Sequence, residues 1–251
     1  MSAMSPIRRT PPWETERVRT RHLLPVLLAT LLALTGCTGG SDSSEPKGGD
    51  TDKLQARLDT AKKTLDTAET INIALATKRL PDGITGLLSA TGKGNHSPAF
   101  TGKVNVVTGG SSLGADVVAV DGKVWAKTGF LPDFTVIDPQ DLKAPDPAAL
   151  VSADKGISQI LVKTTKLRDA GQSRDGKDVL TTIKGTLPGD VVATIIPSAT
   201  ADQEFQVTYR LDDDDELRDA TLSGAFYPGG GTVTYTVSLS TSDTPVSITK
   251  P

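Results

Sequence analysis

The chain has one cysteine, two histidines and only 4% aromatic residues among its 251. A single thiol excludes an intramolecular disulfide framework, a CxxC motif and a cysteine-based metal site. The formal net charge is −3. Nucleic-acid affinity rests largely on Lys and Arg, so a phosphate-binding surface is not expected. The apolar run from Leu23 to Leu34 falls short of the ~20 residues that span a bilayer core. With so few aromatics, the apolar content is chiefly Val, Leu, Ile and Ala, and together with Thr it favours sheet.

That short run has a specific context. Arg17, Arg19 and Arg21 precede it, and small residues follow it, the layout of a secretory signal. Leu34-Thr35-Gly36-Cys37 resembles a bacterial lipobox, which implies a diacylglyceryl group on the Cys37 thiol and cleavage just before it. The expected division is a signal peptide over 1–36, a tether over 37–50 and a folded domain over 51–251. Whether Met1 or Met4 initiates is left open. The signal carries five Arg and two Glu. Removing its +3 takes the remainder from −3 to about −6. Thr38 to Asp50 has almost no apolar side chains, too few to offset its ordering entropy.

Asp50-Thr51-Asp52 then offers N-cap chemistry. Leu54, Leu58, Ala61, Leu65 and Ala68 form one stripe at helical period. Beyond it the pattern is that of strands, over 70–80, 87–91, 99–108, 113–120 and 123–128. Their predicted breaks fall at Gly92-Lys-Gly94, Gly109-Gly110 and Asp121-Gly122. Asp-Gly between two β-rich runs signals a two-residue hairpin. Residues 129–147 carry four prolines and read as irregular. Asp146 caps a helix with Pro147 at its first position, and a second helical stretch is expected over 152–162. Strands return over 164–172 and 179–187, a short helix over 191–196, and strands over 205–211, 217–227, 232–239 and 246–249. The whole reads as an α+β domain whose ten or eleven short strands form an antiparallel meander.

From Asp146 onward the order of segments is specific. Asp146-Pro-Ala-Ala-Leu150, Asp154-Lys-Gly-Ile157 and Leu161 resemble a helix of the LppX/LprA/LprF/LprG lipoprotein family. Val179 to Pro188, Val207 to Leu211 with Leu217 to Ala220, and Ser238 to Ser240 with Pro245 to Thr249 resemble its later strands, and Val118 to Lys127 an earlier hairpin. Tyr209 stands where the family often has Trp, and Trp125 where it often has Tyr. The resemblance implies a strongly curved antiparallel half-barrel with helices on its concave face, similar to LolA and LolB, enclosing an apolar cavity for acyl chains. It implies an acylated lipid, glycolipid or lipoglycan as ligand, moved from the plasma membrane toward the outer envelope. The partners expected are that ligand, the membrane reached through the anchor at Cys37, and an envelope transporter. No nucleic acid, cofactor, metal or catalytic residue is expected.

The candidate cavity residues are Leu54, Leu58, Leu65, Leu87, Leu88, Val104, Val106, Val117, Val120, Ile157, Ile160 and Leu161. About half are expected to be plain core, since periodicity assigns a face and not its occupant. Asp212 to Glu216 reads as a solvated turn rather than a Ca²⁺ loop, for it lacks EF-hand spacing and the turn glycine. The glycine-rich stretch Gly109 to Gly114 precedes a strand, so it is no phosphate cradle; it is read as a flap at a cavity mouth. His96 lies in a polar loop. A hydrolase would need it as base, and the sequence reads as having no Gly-x-Ser-x-Gly elbow to go with it.

Overall fold

In the computed structural model the described residues are 48–142 and 144–251. They fall in one compact unit, which holds every element named below. The expected signal peptide, Cys37 and the first part of the expected tether lie outside them.

Eleven strands form one open antiparallel sheet: β1 (Thr70–Thr77), β2 (Gly86–Asn95), β3 (Ala99–Thr108), β4 (Ser111–Val120), β5 (Lys123–Thr128), β6 (Thr135–Ile137), β7 (Thr165–Asp175), β8 (Asp178–Pro188), β9 (Glu204–Leu211), β10 (Leu217–Gly224) and β11 (Val233–Ser242). Their order is β6-β5-β4-β3-β2-β1-β11-β10-β9-β8-β7, so β6 and β7 are the edges. Each half is a meander, and β1 pairs with β11 to join the halves. The tight turns carry the residues they require. Asp121 (φ 53°) with Gly122 (φ 66°), and Gly109 (φ 56°) with Gly110 (φ 77°), hold the left-handed conformation at both central positions of a two-residue hairpin. The second of these is therefore a tight two-residue hairpin.

Helix α1 (Gly48–Thr67) buries the expected stripe completely, with Leu58 and Ala61 at 0% exposure. It takes up Gly48, Gly49 and Asp50, which the sequence reading assigned to the tether. The turns at 96–98, 121–122, 176–177 and 212–216 share one end of the sheet, and α1 lies across that end. Arg57 is ion-paired with Asp215 and donates to the Asp212 carbonyl at 3.2 Å, and Leu65 gives its carbonyl to His96 Nε2 at 3.0 Å. The Asp212–Glu216 turn is thus a docking point for α1, tightened by Asp212 Oδ1 accepting from the amides of Asp214 and Glu216.

The remaining helices sit over the concave face or at its rim. In α2 (Pro147–Leu150) the Asp146 carboxylate accepts from the Ala148 amide at 2.9 Å, as its sequence demands. Of the stretch read as helix over 152–162 only α3 (Gln159–Lys163) is regular; 151–158 is a series of turns. Helix α4 (Gly189–Ile195) lies at the end of the sheet opposite α1.

Three other sequence readings are corrected. β2 runs straight through Gly92 and Gly94, because Gly92 pairs with Gly102 beneath the ring of Phe100. A Cβ on Gly92 would stand 2.3 Å from Phe100 Cζ. Residues 135–137, read as irregular, form β6 on β5. Residues 246–249 form no strand: β11 already pairs with β1 and β10, and the tail is held by Asn95 Nδ2 donating to the Val246 carbonyl at 3.0 Å.

Candidate functional site

The core divides into two clusters. One packs α1 against β1 and β7 to β11, with Phe205, Tyr209, Leu211 and Ile183 fully buried. The other is small: Phe100, Val117, Ala119, Val124, Ala126 and Ala148. The difference lies in side-chain size along the inward rows. Over β2 to β5 the inward positions include Ala90, Gly92, Gly102, Ala115, Ala119 and Ala126. Such small residues cannot reach the helices covering them, whereas the aromatics and leucines of β8 to β11 can. The sheet is therefore full on one side and hollow on the other.

The hollow is an apolar space of about 1300 Å³, counting the part open to solvent. Ile73, Leu75, Leu87, Ala90, Phe100, Val104, Val106, Val117, Val124, Leu222, Tyr235 and Val237 form its floor. Ile137 at the end of β6, the segment after it (Pro139, Leu142, Ala144, Pro145) and α2 (Pro147, Leu150) form one wall. Ile157, Ile160, Val192, Ile195, Ile196, Phe226 and Tyr227 close the other. Three of the four prolines of 129–147 thus build the wall: proline tolerates extended routes without needing backbone partners for its nitrogen.

Among the described residues every lining side chain is apolar except two tyrosines, and both hydroxyls are spent. The β2–β3 register shifts between Leu87 and Ser89, and β1–β2 pairing ends at Ser89. This bulge brings Leu87 and Ala90 onto one face and leaves the Leu87 main chain without a strand partner toward β1. Leu87 N–H donates to the Tyr227 hydroxyl at 3.2 Å, and the Tyr235 hydroxyl donates to the Leu87 carbonyl. The two hydroxyls are 2.8 Å apart. With those donors fixed, the Tyr227 proton points to Tyr235 and the ring of bonds closes. Burial, and then the neighbouring Tyr227, push the Tyr235 pKa far above the usual phenol value, so it stays a neutral donor. Elsewhere Tyr209, its pKa also raised by burial, holds α3 by a 2.7 Å bond to Thr164 and a 3.3 Å bond to the Ile160 carbonyl.

Of the residues singled out from sequence, Leu87, Val104, Val106, Val117, Ile157 and Ile160 line this cavity. Leu54, Leu58, Leu65 and Leu161 do not. They belong to the close-packed cluster, where α1 crosses the end of the sheet rather than its hollow. Val120 is also off the cavity: it stands three residues from Val117, hence on the opposite face of β4. Leu88 is the extra residue of the bulge and is displaced from the inward row. The reading missed Tyr227, Tyr235, Phe226 and the proline-rich wall. Alternation through Val233, Tyr235, Val237 and Leu239 was the available signal for Tyr235.

His96 has both ring nitrogens committed, Nδ1 to the Val151 carbonyl at 2.8 Å and Nε2 to Leu65, so it bridges α1 and α2. Gly110-Ser-Ser-Leu-Gly114 does spell Gly-x-Ser-x-Gly, which the sequence reading passed over. It lies on the β3–β4 hairpin, not between strand and helix, and at the opposite end of the sheet from His96. The two cannot act as nucleophile and base. Among the described residues no cluster of His, Cys, Asp or Glu is arranged to hold a metal, and no helix is long and apolar enough to cross a membrane.

Comparison with known proteins matches residues 52–248 to the family model described as LppX_LprAFG lipoprotein. The lipoarabinomannan carrier protein LprG of Mycobacterium tuberculosis is 25% identical over 244 residues, covering 94% of this chain and 98% of that protein. Its Mycobacterium leprae counterpart is 24% identical over 242 residues, covering 91% and 94%. Among solved structures, LprF from Mycobacterium bovis superposes with a TM-score of 0.64 at 15% identity, covering 80% of this chain and 97% of that one. LppX from Mycobacterium tuberculosis gives 0.56 at 17% identity, covering 79% and 99%. These structures share the open antiparallel sheet.

Proposed function

The chain belongs to the LppX_LprAFG lipoprotein family, and from that premise we propose that it is a carrier of acylated lipid. It holds the acyl chains of a glycolipid or lipoglycan in the cavity and helps move them from the plasma membrane toward the outer envelope. It acts as a binding protein and not as an enzyme. Relatives at 24–25% identity are named as lipoarabinomannan carriers, which supports a lipid of that broad kind. We further propose that Cys37 is acylated and anchors the domain to the outer face of the cell membrane through residues 38–47, with an envelope transporter as its partner.

One observation carries the reading. Burying a polar group without a partner costs roughly 2–7 kcal/mol, depending on the reference state. Among the described residues no lining side chain has a free polar group, because the two hydroxyls and the Leu87 main chain satisfy one another. A ligand headgroup inside would go unpaired, whereas hydrocarbon loses nothing. The interior therefore selects acyl chains and leaves the polar head at the rim. A carrier of polar small molecules would need the reverse arrangement.

Native mass spectrometry of the gently purified chain tests this. The proposal expects a mass increment of a multiply acylated lipid that survives transfer to the gas phase. Finding only the bare chain, from cells that make such lipids, would favour a structural or signalling lipoprotein instead.

A further inference from the structure

The hairpin of β5 and β6 carries three large apolar side chains that the other described residues leave exposed: Phe130 at 87%, Leu131 at 53% and Val136 at 61%. They are not held there by slack chain. The Thr128 hydroxyl accepts from the Phe130 amide at 3.3 Å and the Leu131 amide at 3.2 Å, and the Thr128 carbonyl accepts from Leu131 as well. Pro132 stiffens the next position. A turn pinned at three points presents Phe130 and Leu131 outward as a fixed tip. Large exposed apolar groups of this kind mark a partner surface rather than ordinary scatter when they adjoin one another.

Its position gives the tip a use. β5 runs from the turn at 121–122 toward the end of the sheet opposite α1, so the tip lies at that far end with α4 and Tyr227. Within the same hairpin Val136 faces out, while Ile137 beside it lines the cavity, as do Pro139 and Leu142 just beyond. The tip and the cavity wall thus belong to one short length of chain, six residues apart from Leu131 to Ile137. The acidic turn Asp212 to Glu216 sits at the opposite end, and Asp133 is the only ionisable residue between 129 and 137. Lys127 places its ammonium 5.2 Å from the Phe134 ring, a cation and an aromatic together at the base of the tip.

We propose that Phe130 and Leu131 form a wedge that enters the headgroup and acyl boundary of a lipid bilayer and holds the cavity end of the sheet against it. Two adjoining side chains and one neighbour are far too small for a stable protein interface, which buries about 800 Å² per partner. They suit an interfacial insertion of ~5–10 Å. The proposal rests on the reading of this chain as a carrier of membrane lipid: the wedge brings the cavity to the surface from which acyl chains leave or to which they return.

The test uses the mature chain on vesicles of phosphatidylglycerol and phosphatidylethanolamine whose acyl chains carry bromine near the headgroup. One variant is Phe130→Trp and the control is Asp213→Trp, in the exposed acidic turn; the emission of Trp125, buried at 5% exposure, is subtracted using the parent chain. The proposal expects the indole of Phe130→Trp to shift to the blue and lose most of its emission to bromine, and that of Asp213→Trp to do neither. Two indoles equally indifferent to bromine would overturn it, because an acyl anchor alone would give that result. A blue shift that appears without lipid as protein concentration rises would assign the tip to a second copy and overturn it too. The double variant Phe130→Ser with Leu131→Ser should retain its co-purified lipid and pass it to acceptor vesicles several-fold more slowly; transfer at the parent rate would contradict the proposal. If the parent itself carries no lipid, the carrier reading fails while the bromine experiment still decides the wedge.

Discussion

The Tyr235 hydroxyl donates to the Leu87 carbonyl while the Tyr227 hydroxyl accepts from the Leu87 amide. One residue at a strand bulge thus has both its main-chain groups satisfied by two phenols, one from β11 and one from the chain just after β10. Tyr235→Phe would leave the Leu87 carbonyl unpaired in an apolar wall and strip Tyr227 of its acceptor. A buried group left unpaired costs about 1–3 kcal/mol. Chemical denaturation should report a loss of that size, and Tyr227→Phe with Tyr235→Phe together should cost less than the sum of the two.

The closeness of Gly92 to Phe100 yields a second expectation. A methyl at Gly92 would meet Phe100 Cζ at 2.3 Å and the Thr101 carbonyl at 2.5 Å. The ring has the cavity to move into, but the carbonyl cannot move without breaking the ladder. Gly92→Ala should destabilise by ~1–3 kcal/mol, read as a lower melting temperature, and Phe100→Leu in the same chain should recover part of it.

Arg57 and Asp215, each about a quarter exposed at the side chain, clamp α1 to the β9–β10 turn. Arg57→Ala also removes the donor to the Asp212 carbonyl. The expected cost is on the order of 1–2 kcal/mol, a charge-assisted bond discounted for its partial exposure. It should appear as faster proteolysis within 48–67, with the sheet still protected.

How far the sequence announces this structure depends on which physical signal each element uses. Period and turn chemistry are local, so β3 and β5 have the boundaries read for them, and Asp121-Gly122 turns as expected. Gly92 and Gly94 misled because glycine signals both a turn and a close approach, and only Phe100 across the sheet decides between them. The strand count of eleven agrees, but its membership does not. The segment at 246–249 has strand composition but finds both flanks of β11 occupied, while the three residues of β6 pair despite the prolines around them. The site is legible in the same partial way. Val104 and Val106 share a face by alternation, yet the stripe of Leu54, Leu58 and Leu65 is core, because which helix covers the hollow is a long-range matter. The hollow itself comes from the alanines and glycines of β2 to β5, visible in sequence but meaningless until the large side chains of β8 to β11 are placed beside them.

The anchor makes a separate expectation, in residues outside those the structure describes. Cys37→Ala should remove the acylation site, leaving a soluble or uncleaved precursor, since stable anchoring needs more than one acyl chain. Detergent-phase partitioning checks it: mature variant protein that still enters the detergent phase would contradict the lipobox reading.

The most direct test of the central claim fills the cavity in a single variant and measures two things. Val104 is only partly buried and lines the hollow, whereas extra volume in a packed core costs ~1–3 kcal/mol or more. Val104→Trp should therefore keep its melting temperature and lose its bound lipid, because the indole occupies room the acyl chains would use. A variant that melts clearly lower yet keeps its full complement of lipid would contradict the account.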